Sequence, residues 1–400
     1  MLKKIGKLHN EINPSKYIFL TIGALIIFTF LSLGKVETPV YEPIKVDYIT
    51  KLIEKPTNFT EWKQRHHITG YFNKNRKVRI YITAGSWYAY QDFLKLKFKH
   101  DETLANCDIP CIWKIKTLKD LTYKEFRKAD ALLCVNQPSL PKNKSWNGQK
   151  FIQYTLEPMT HCPKCHDKNK LFDIRATYNE SSDIPTSYIR MDTEKWRIKT
   201  PFNIKKLSQN STFISFIASH WTKFRGTFIK NLQAHIPVAS FGGVYRNTNW
   251  DLYPECKNLG FFELKNCVIS KYPFYLSIEN SQEEDYTTEK LWDVFNLGVV
   301  PVIWGAPNTR SYLPHPKSAI FIEDFPDIEA LANYLKYLVK NETAYLEYHK
   351  WRNLEFSDEF KKKSYLSMYN FECNVCREVA RLRIIDEEQH NIISDIETEK

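Results

Sequence analysis

Glycine is scarce in this chain, at 12 of 400 residues, and methionine scarcer still, at 4. With aromatic residues at 14%, that composition excludes a fibrous or low-complexity chain and describes a globular protein with large side chains to bury. No zinc-finger or helix-turn-helix pattern occurs, and the lysines are spread along the whole length. The formal charge of +11 therefore does not mark a nucleic-acid surface; it suits a protein that handles an anionic small molecule. Also missing is any Asp-x-Asp pair, the usual carboxylate holder for a divalent ion on a diphosphate. There is no internal repeat. The length allows two or three domains, each with its own core.

The compartment is written at the N-terminus. Residues 17–33, opening on Tyr17 and closing on Leu33, are apolar and uncharged, with Lys3, Lys4, Lys7 and Lys16 before them. As a helix they span about 25 Å, enough for a thin bilayer. The preceding lysines predict a cytoplasmic tail (1–16) and a remainder across the membrane. No small-x-small cleavage site follows, so a retained signal anchor is expected instead of a cleaved leader. Five N-x-Ser/Thr sequons, at Asn58, Asn143, Asn179, Asn210 and Asn341, agree with a luminal chain. Eight of the nine cysteines fall into close pairs: Cys107/Cys111, Cys162/Cys165, Cys256/Cys267 and Cys373/Cys376. In an oxidising lumen these are expected as short-range disulfides and not as a four-thiolate zinc site. Cys134, in an apolar run, is expected to be a buried free thiol.

Residues 34–75, with Pro39, Pro43 and Pro56, read as a stem. From Val78 the alternation of Val78 to Ile82 predicts a first strand, with further strands at 129–135 and 151–156. A second α/β run begins at 212–218, continues with a helix at 224–234 and a strand at 237–241, and carries strands near Tyr275, Val300 and Ile320. A helix is expected at 327–339. Strands alternating with helices imply parallel βαβ units. Two Rossmann-like domains facing across a cleft are therefore expected, at 76–200 and 201–352, followed by a helical tail at 353–400 whose last residues, from Asp386, look loose.

Residues 272–305 are the densest in chemistry. A buried strand ends in Glu279 and Asn280; a polar loop leads into a helix opened by Thr287-Thr288-Glu289-Lys290; a second apolar strand ends at Gly305. In open parallel sheets nucleotides bind outside the carboxyl ends of the strands, and Lys290 near a helix start suits a phosphate. Arg225, after the strand at 212–218, offers a planar fork for phosphate oxygens. Glu157, at the end of the strand 151–156, is the best general base: a half-buried carboxylate with a raised pKa works near neutral pH. His161 and His166 beside Cys162 and Cys165 are read as solvent-facing residues of a disulfide-bounded loop, so no metal site is expected.

The string Glu279-Asn280-Ser281, followed by Asp285-Tyr286-x-Thr288-Glu289-Lys290, resembles the signature of the α1,3-fucosyltransferases of glycosyltransferase family 10. Tyr178, Ser182, Asp183 and Pro185, then Pro301, Gly305 and Pro307, and finally Tyr345, Tyr348, Trp351 and Arg352 extend the likeness over about 77–352. The resemblance implies an inverting enzyme of GT-B type, a type II Golgi membrane protein that moves fucose from GDP-fucose to a GlcNAc-containing glycan. Glu157 would be the catalytic base, and Arg225, Glu279, Asn280, Tyr286, Glu289 and Lys290 the donor-binding residues. Arg and Lys would meet the leaving diphosphate without a required metal, leaving room for Mn2+ stimulation. Two departures stand out: His220 replaces an Asn of the family pattern, and Glu157 is followed directly by Pro158 with no Ser between. A protein hydroxyl as acceptor, or a non-catalytic luminal protein that binds GDP-fucose or glycan on the same fold, are the alternative readings.

Overall fold

In the computed structural model the described residues are 77–83, 107, 109–115, 118–136, 140–166, 171–207 and 211–398, with side chains described to 386. The expected anchor (17–33), the stem, and the sequons at Asn58 and Asn210 lie outside them. Among the described residues no helix is long and apolar enough to cross a membrane.

Two parallel sheets organise the chain. The first runs β2-β1-β3-β4-β5-β6, from β1 (Val78–Thr83), β2 (Cys111–Ile115), β3 (Ala131–Val135), β4 (Lys150–Thr155), β5 (Ile174–Thr177) and β6 (Ile184–Pro185). The second runs β11-β10-β9-β7-β8, from β7 (Ile214–Phe216), β8 (Val238–Ser240), β9 (Phe274–Ile278), β10 (Val300–Trp304) and β11 (Ile320–Phe321). All pairings are parallel. The central strands β3 and β9 are buried at every position, as continuous apolar runs covered on both faces must be. β2 and β5 escape sequence patterning. β2 is a five-residue strand directly after Pro110, and β5 exposes Arg175 between buried neighbours.

The helices are α1 (Tyr123–Lys128), α2 (Lys223–Gln233), α3 (Phe261–Ile269), α4 (Glu289–Phe295), α5 (Ile328–Lys340), α6 (Glu342–Leu346), α7 (Asp358–Tyr365) and α8 (Phe371–Thr398). Each of α1, α2, α4 and α5 opens on a side-chain cap, from Thr122, Thr222, Thr288 and Asp327. Such caps satisfy N–H groups that a helix start leaves without partners. α5 lays Leu331, Ala332, Leu335 and Leu338 on the second sheet at helical spacing. A third apolar cluster, with Trp196 stacked on Trp292 at 6.1 Å and Trp351, Phe356 and Phe360 around them, ties the segment after β6 to α4 and the C-terminal region.

α8 turns back to the first sheet. Phe371, Val375, Cys376, Val379 and Ala380 complete that sheet's core with Val78, Ile80 and Trp113, and the buried Arg383 pairs with Asp130 at 2.9 Å. The helix runs to Thr398, where loose chain was expected from Asp386 on. Two of the four expected disulfides are corrected. Cys162–Cys165 and Cys256–Cys267 form as anticipated, but Cys107 bonds Cys373 and Cys111 bonds Cys376. The reason is geometric: Cys373 and Cys376, three apart on α8, share one face, and that face is packed on the edge where β2 begins. Cys134 is a buried free thiol, as expected.

The two bonds close nearly the same loop, with separations of 266 and 265 residues. One bond therefore carries most of the loop-closure stabilisation, of about 2–4 kcal/mol. Cys107→Ser alone should lower the melting temperature much less than the double replacement Cys107→Ser with Cys111→Ser. Thermal unfolding checks this, and non-reducing peptide mapping should recover Cys107 linked to Cys373.

Candidate active site

The site is built at the carboxyl ends of β9, β7 and β4. β9 exits into Glu279, whose carboxylate is 4% exposed and turns back onto the start of α4. One oxygen accepts from the Thr288 N–H (2.8 Å) and hydroxyl (2.7 Å). The other pairs with Lys290 Nζ at 3.1 Å. Gly305, at the end of β10, makes room for this: a Cβ there would lie 3.0 Å from Glu279 Cγ. Lys290 also reaches Glu289 at 3.2 Å. Burial opposes its charge, but Glu279 and Glu289 more than offset that, and its pKa rises. Burial likewise opposes the Glu289 charge; Lys290, Lys265 and Arg190 reverse the effect and hold that carboxyl well below the usual range.

β7 leads through His220 to α2, where the Thr222 hydroxyl caps the Arg225 N–H. The Arg225 side chain is 2% exposed. Its Nε and Nη2 donate to the Ile278 carbonyl (3.2 and 2.7 Å), and Nη1 donates to the His220 carbonyl (2.9 Å). A guanidinium has five N–H donors, so one on each terminal nitrogen lies outside these bonds. Arg225 therefore pins the ends of β7 and β9 together.

β4 exits through Leu156 into Glu157, which is half-buried. Burial is the main influence on its carboxyl and raises the pKa; Lys290 pulls it down, Glu289 pushes it up and His161 pulls it down. The residues after it dock on the loop that follows β9. His161 Nε2 lies 3.1 Å from the Asn280 carbonyl, and the Thr160 hydroxyl bonds Ser281 at 3.2 Å. Met159 and Thr160 donate their N–H groups to the Glu283 carboxylate, at 2.9 and 2.8 Å. Tyr178 donates its hydroxyl to the same carboxylate at 2.7 Å.

The seven residues singled out from sequence meet different fates. Glu157, Glu289, Lys290, Glu279 and Tyr286 act electrostatically on one another across the junction of the two sheets. Glu279 is occupied as a structural carboxylate. Tyr286 is buried with Tyr178 (5.2 Å between rings) and Tyr188, inside the first sheet's core. Asn280 keeps a buried side-chain oxygen with no hydrogen-bond partner, an acceptor of the kind that calls for a ligand or water. Sequence patterning missed three charged groups around the site. Lys265, buried on α3, faces Glu289 at 4.0 Å and Asp293 at 3.6 Å. Arg190 acts on both acids. Glu283 is the third. The only signal for Lys265 is a lysine on the apolar stripe of a short helix. His161 is exposed as expected, but His166 is half-buried, its Nε2 2.9 Å from the Glu157 carbonyl, and among the described residues no group of three or more His, Cys, Asp or Glu side chains is placed to hold a metal ion.

Comparison with known proteins adds a chemical identity to this geometry. A family model for the C-terminal part of glycosyltransferase family 10 (fucosyltransferase) matches residues 207–399. The alpha-(1,4)-fucosyltransferase of Arabidopsis thaliana is 30% identical over 342 residues, covering 78% of this chain and 80% of that protein. The 4-galactosyl-N-acetylglucosaminide 3-alpha-L-fucosyltransferase of Homo sapiens is 30% identical over 255 residues, covering 62% of this chain and 66% of that protein. Among solved structures, an α1,3-fucosyltransferase crystallised with GDP-fucose is similar at 20% identity and a TM-score of 0.48, over 77% of this chain and 95% of that one. At that level the structural likeness carries no weight of its own.

Lys290 is the strongest influence lowering the Glu157 pKa. Lys290→Ala should therefore make Glu157 titrate at higher pH than in the unaltered protein. Carbon-13 NMR of labelled glutamate carboxyls measures this; an unmoved or lower titration would break the electrostatic link between the two residues.

Proposed function

Since the chain belongs to glycosyltransferase family 10, the fucosyltransferases, we propose that it moves fucose from GDP-fucose to a GlcNAc-containing glycan in α1,3 linkage, with inversion at the fucose anomeric carbon. The two parallel sheets are then read as the two Rossmann-like domains of a GT-B enzyme. Residues 76–200 take the acceptor and 201–352 the donor. Residues 17–33 anchor the chain as a type II Golgi membrane protein with the catalytic part luminal.

The observation that carries this reading is the docking of the loop after Glu157, a carboxylate of raised pKa, on the loop that leads to the partly buried cation Lys290 at the junction of the two sheets. Transfer needs both. As the acceptor oxygen bonds to the anomeric carbon, its proton must go to a base, and Glu157 takes it. As the bond from that carbon to the phosphate oxygen breaks, negative charge grows on GDP, and Lys290 with the uncommitted N–H groups of Arg225 stabilises it. The positive charge that glycosyl transfer develops on the sugar ring is met by the surrounding carboxylates. These groups account for leaving-group stabilisation without a required metal, and Mn2+ stimulation remains compatible with them.

The test mixes the full chain with GDP-fucose and a panel of glycan acceptors, with and without EDTA, and follows GDP release and product linkage. Acceptor-dependent release that survives EDTA and gives an α1,3 product is expected. An α1,4 product would correct the linkage, and release only with a protein acceptor would correct the substrate. Glu157→Gln should lower kcat by roughly 10²–10⁴-fold. The acid limb of the unaltered enzyme should lie above the ordinary glutamate pKa of 4.5, since activity is lost as the base protonates. A folded Glu157→Gln protein with an unchanged rate sinks the base assignment.

A further inference from the structure

Resting on that reading, we propose that Glu283 is a positioning residue: from the loop after β9 it grips the backbone just beyond Glu157 and so holds the base in line with the groups that take the donor.

The geometry is specific. Glu283 accepts the N–H groups of Met159 and Thr160, one on each carboxylate oxygen, together with the hydroxyls of Tyr178 and, at 3.3 Å, Ser281. Those two N–H groups belong to residues two and three beyond Glu157. The chain at Glu157 is thus held on one side by β4 and on the other by Glu283. His166 Nε2, 2.9 Å from the Glu157 carbonyl, braces it further. Charge-assisted bonds of this kind are the stronger class. Burial opposes ionisation of Glu283, but the bonds from Thr160, Tyr178 and Met159 outweigh it and pull its pKa down to about 2. The grip therefore stands throughout the working range and fails only as pH falls from 4.5 toward 2.

Glu283 also shares its loop with the donor-side residues. Asn280 precedes it and Tyr286, Glu289 and Lys290 follow within seven residues. The loop is held rigid from both ends: Glu279 is bonded to Thr288, and the buried Asp285, at φ +64°, takes bonds from Glu180, Asn308 and Tyr312. One short segment accordingly fixes the base and the diphosphate-binding cation in a common frame. A merely adhesive contact between the halves would need no such register. Misplacing a reacting group by an ångström costs up to about a hundredfold in rate, which sets the size of the expected effect.

Glu283→Gln is the informative change. A single amide oxygen cannot accept all four donors, and its NH2 group opposes them. The groups facing Glu157 are Lys290 and Glu289 on α4, Tyr286 on the donor loop and His161 on its own loop; none of these is altered. Expected are a kcat lower by roughly tenfold to a hundredfold, GDP-fucose affinity by calorimetry within about twofold of the unaltered enzyme, and an acid limb moved to lower pH as Glu157 gains water. Tyr178→Phe, which removes one of the four donors, should move the same quantities in the same direction by less, and serves if Glu283→Gln does not fold. An unchanged kcat, or a loss confined to donor affinity with the acid limb fixed, overturns the inference. Direct carbon-13 titration of Glu157 separates this from the function proposed above. In Glu283→Gln its pKa should fall toward the ordinary value, and a pKa that stays put refutes the positioning role whatever the activity. If the fall is seen while the unaltered protein transfers no fucose, the proposed reaction is overturned and the seating of Glu157 stands.

Discussion

The carboxylate of Glu279 is the constraint on which the site depends. Removing a carboxylate from water is expensive unless its lone pairs are met. Here an N–H, a hydroxyl and an ammonium meet them, all from the first residues of α4 and its cap. The bonds do more than satisfy the charge. They close the polar loop between β9 and α4 at its base, from which Glu283 and Tyr286 reach the first sheet while Asp285 is held by Asn308 and Tyr312 on one side and Glu180 on the other. Gly305 is part of the same constraint, because any side chain there would press on the Glu279 methylenes. Breaking a buried pair by deleting one partner leaves the other charge stranded, so Glu279 and Lys290 stand or fall together.

The same logic explains how the two sheets are held in register. The first sheet's interior takes residues from elsewhere in the chain. Tyr286, from the second-sheet loop, sits in the first sheet's core, and Phe371 to Ala380 of the C-terminal helix complete that core from the far end of the chain. Two disulfides make the return of α8 covalent. The junction therefore combines an aromatic plug, a carboxylate clamp and a cross-linked helix, at three separate places.

What could be read from the chain followed from periodicity and caps. The strands at 129–135, 151–156, 212–218 and 237–241 are observed within two residues of either expected end, because apolar runs this short between polar breaks suit strands buried on both faces better than helices. α2 and α5 were legible for the same reason, with Thr222 and Asp327 marking their starts. Glu157, Glu279 and Lys290 were found because strand ends are where charged residues in an α/β chain congregate. What failed to show was everything set by tertiary approach. Local spacing favoured Cys107 with Cys111 and Cys373 with Cys376, and only the packing of α8 on β2 reveals the exchange. Lys265 and Arg190 sit in segments with no motif, and Glu283 lies in a loop whose pattern says only that it is polar. Its role exists solely because another loop, 124 residues earlier, comes to lie beneath it.

Arg225 and His220 show why a departure from a family pattern need not disturb a site. In the sequence, His220 in place of the family's Asn left the role of that position open. In the fold, Arg225 uses the main-chain carbonyl of residue 220 and not its side chain, and any residue at that position supplies a carbonyl. The guanidinium is thereby held by three bonds to backbone that cannot move without unravelling the ends of β7 and β9. Fixed donors of that kind need no reorganisation when charge develops beside them, which is the condition for effective electrostatic catalysis. The His220 ring, released from that duty, meets His161 edge-on at 5.3 Å between ring centroids. It thus reaches the segment that follows Glu157, while the Arg225 guanidinium keeps its footing.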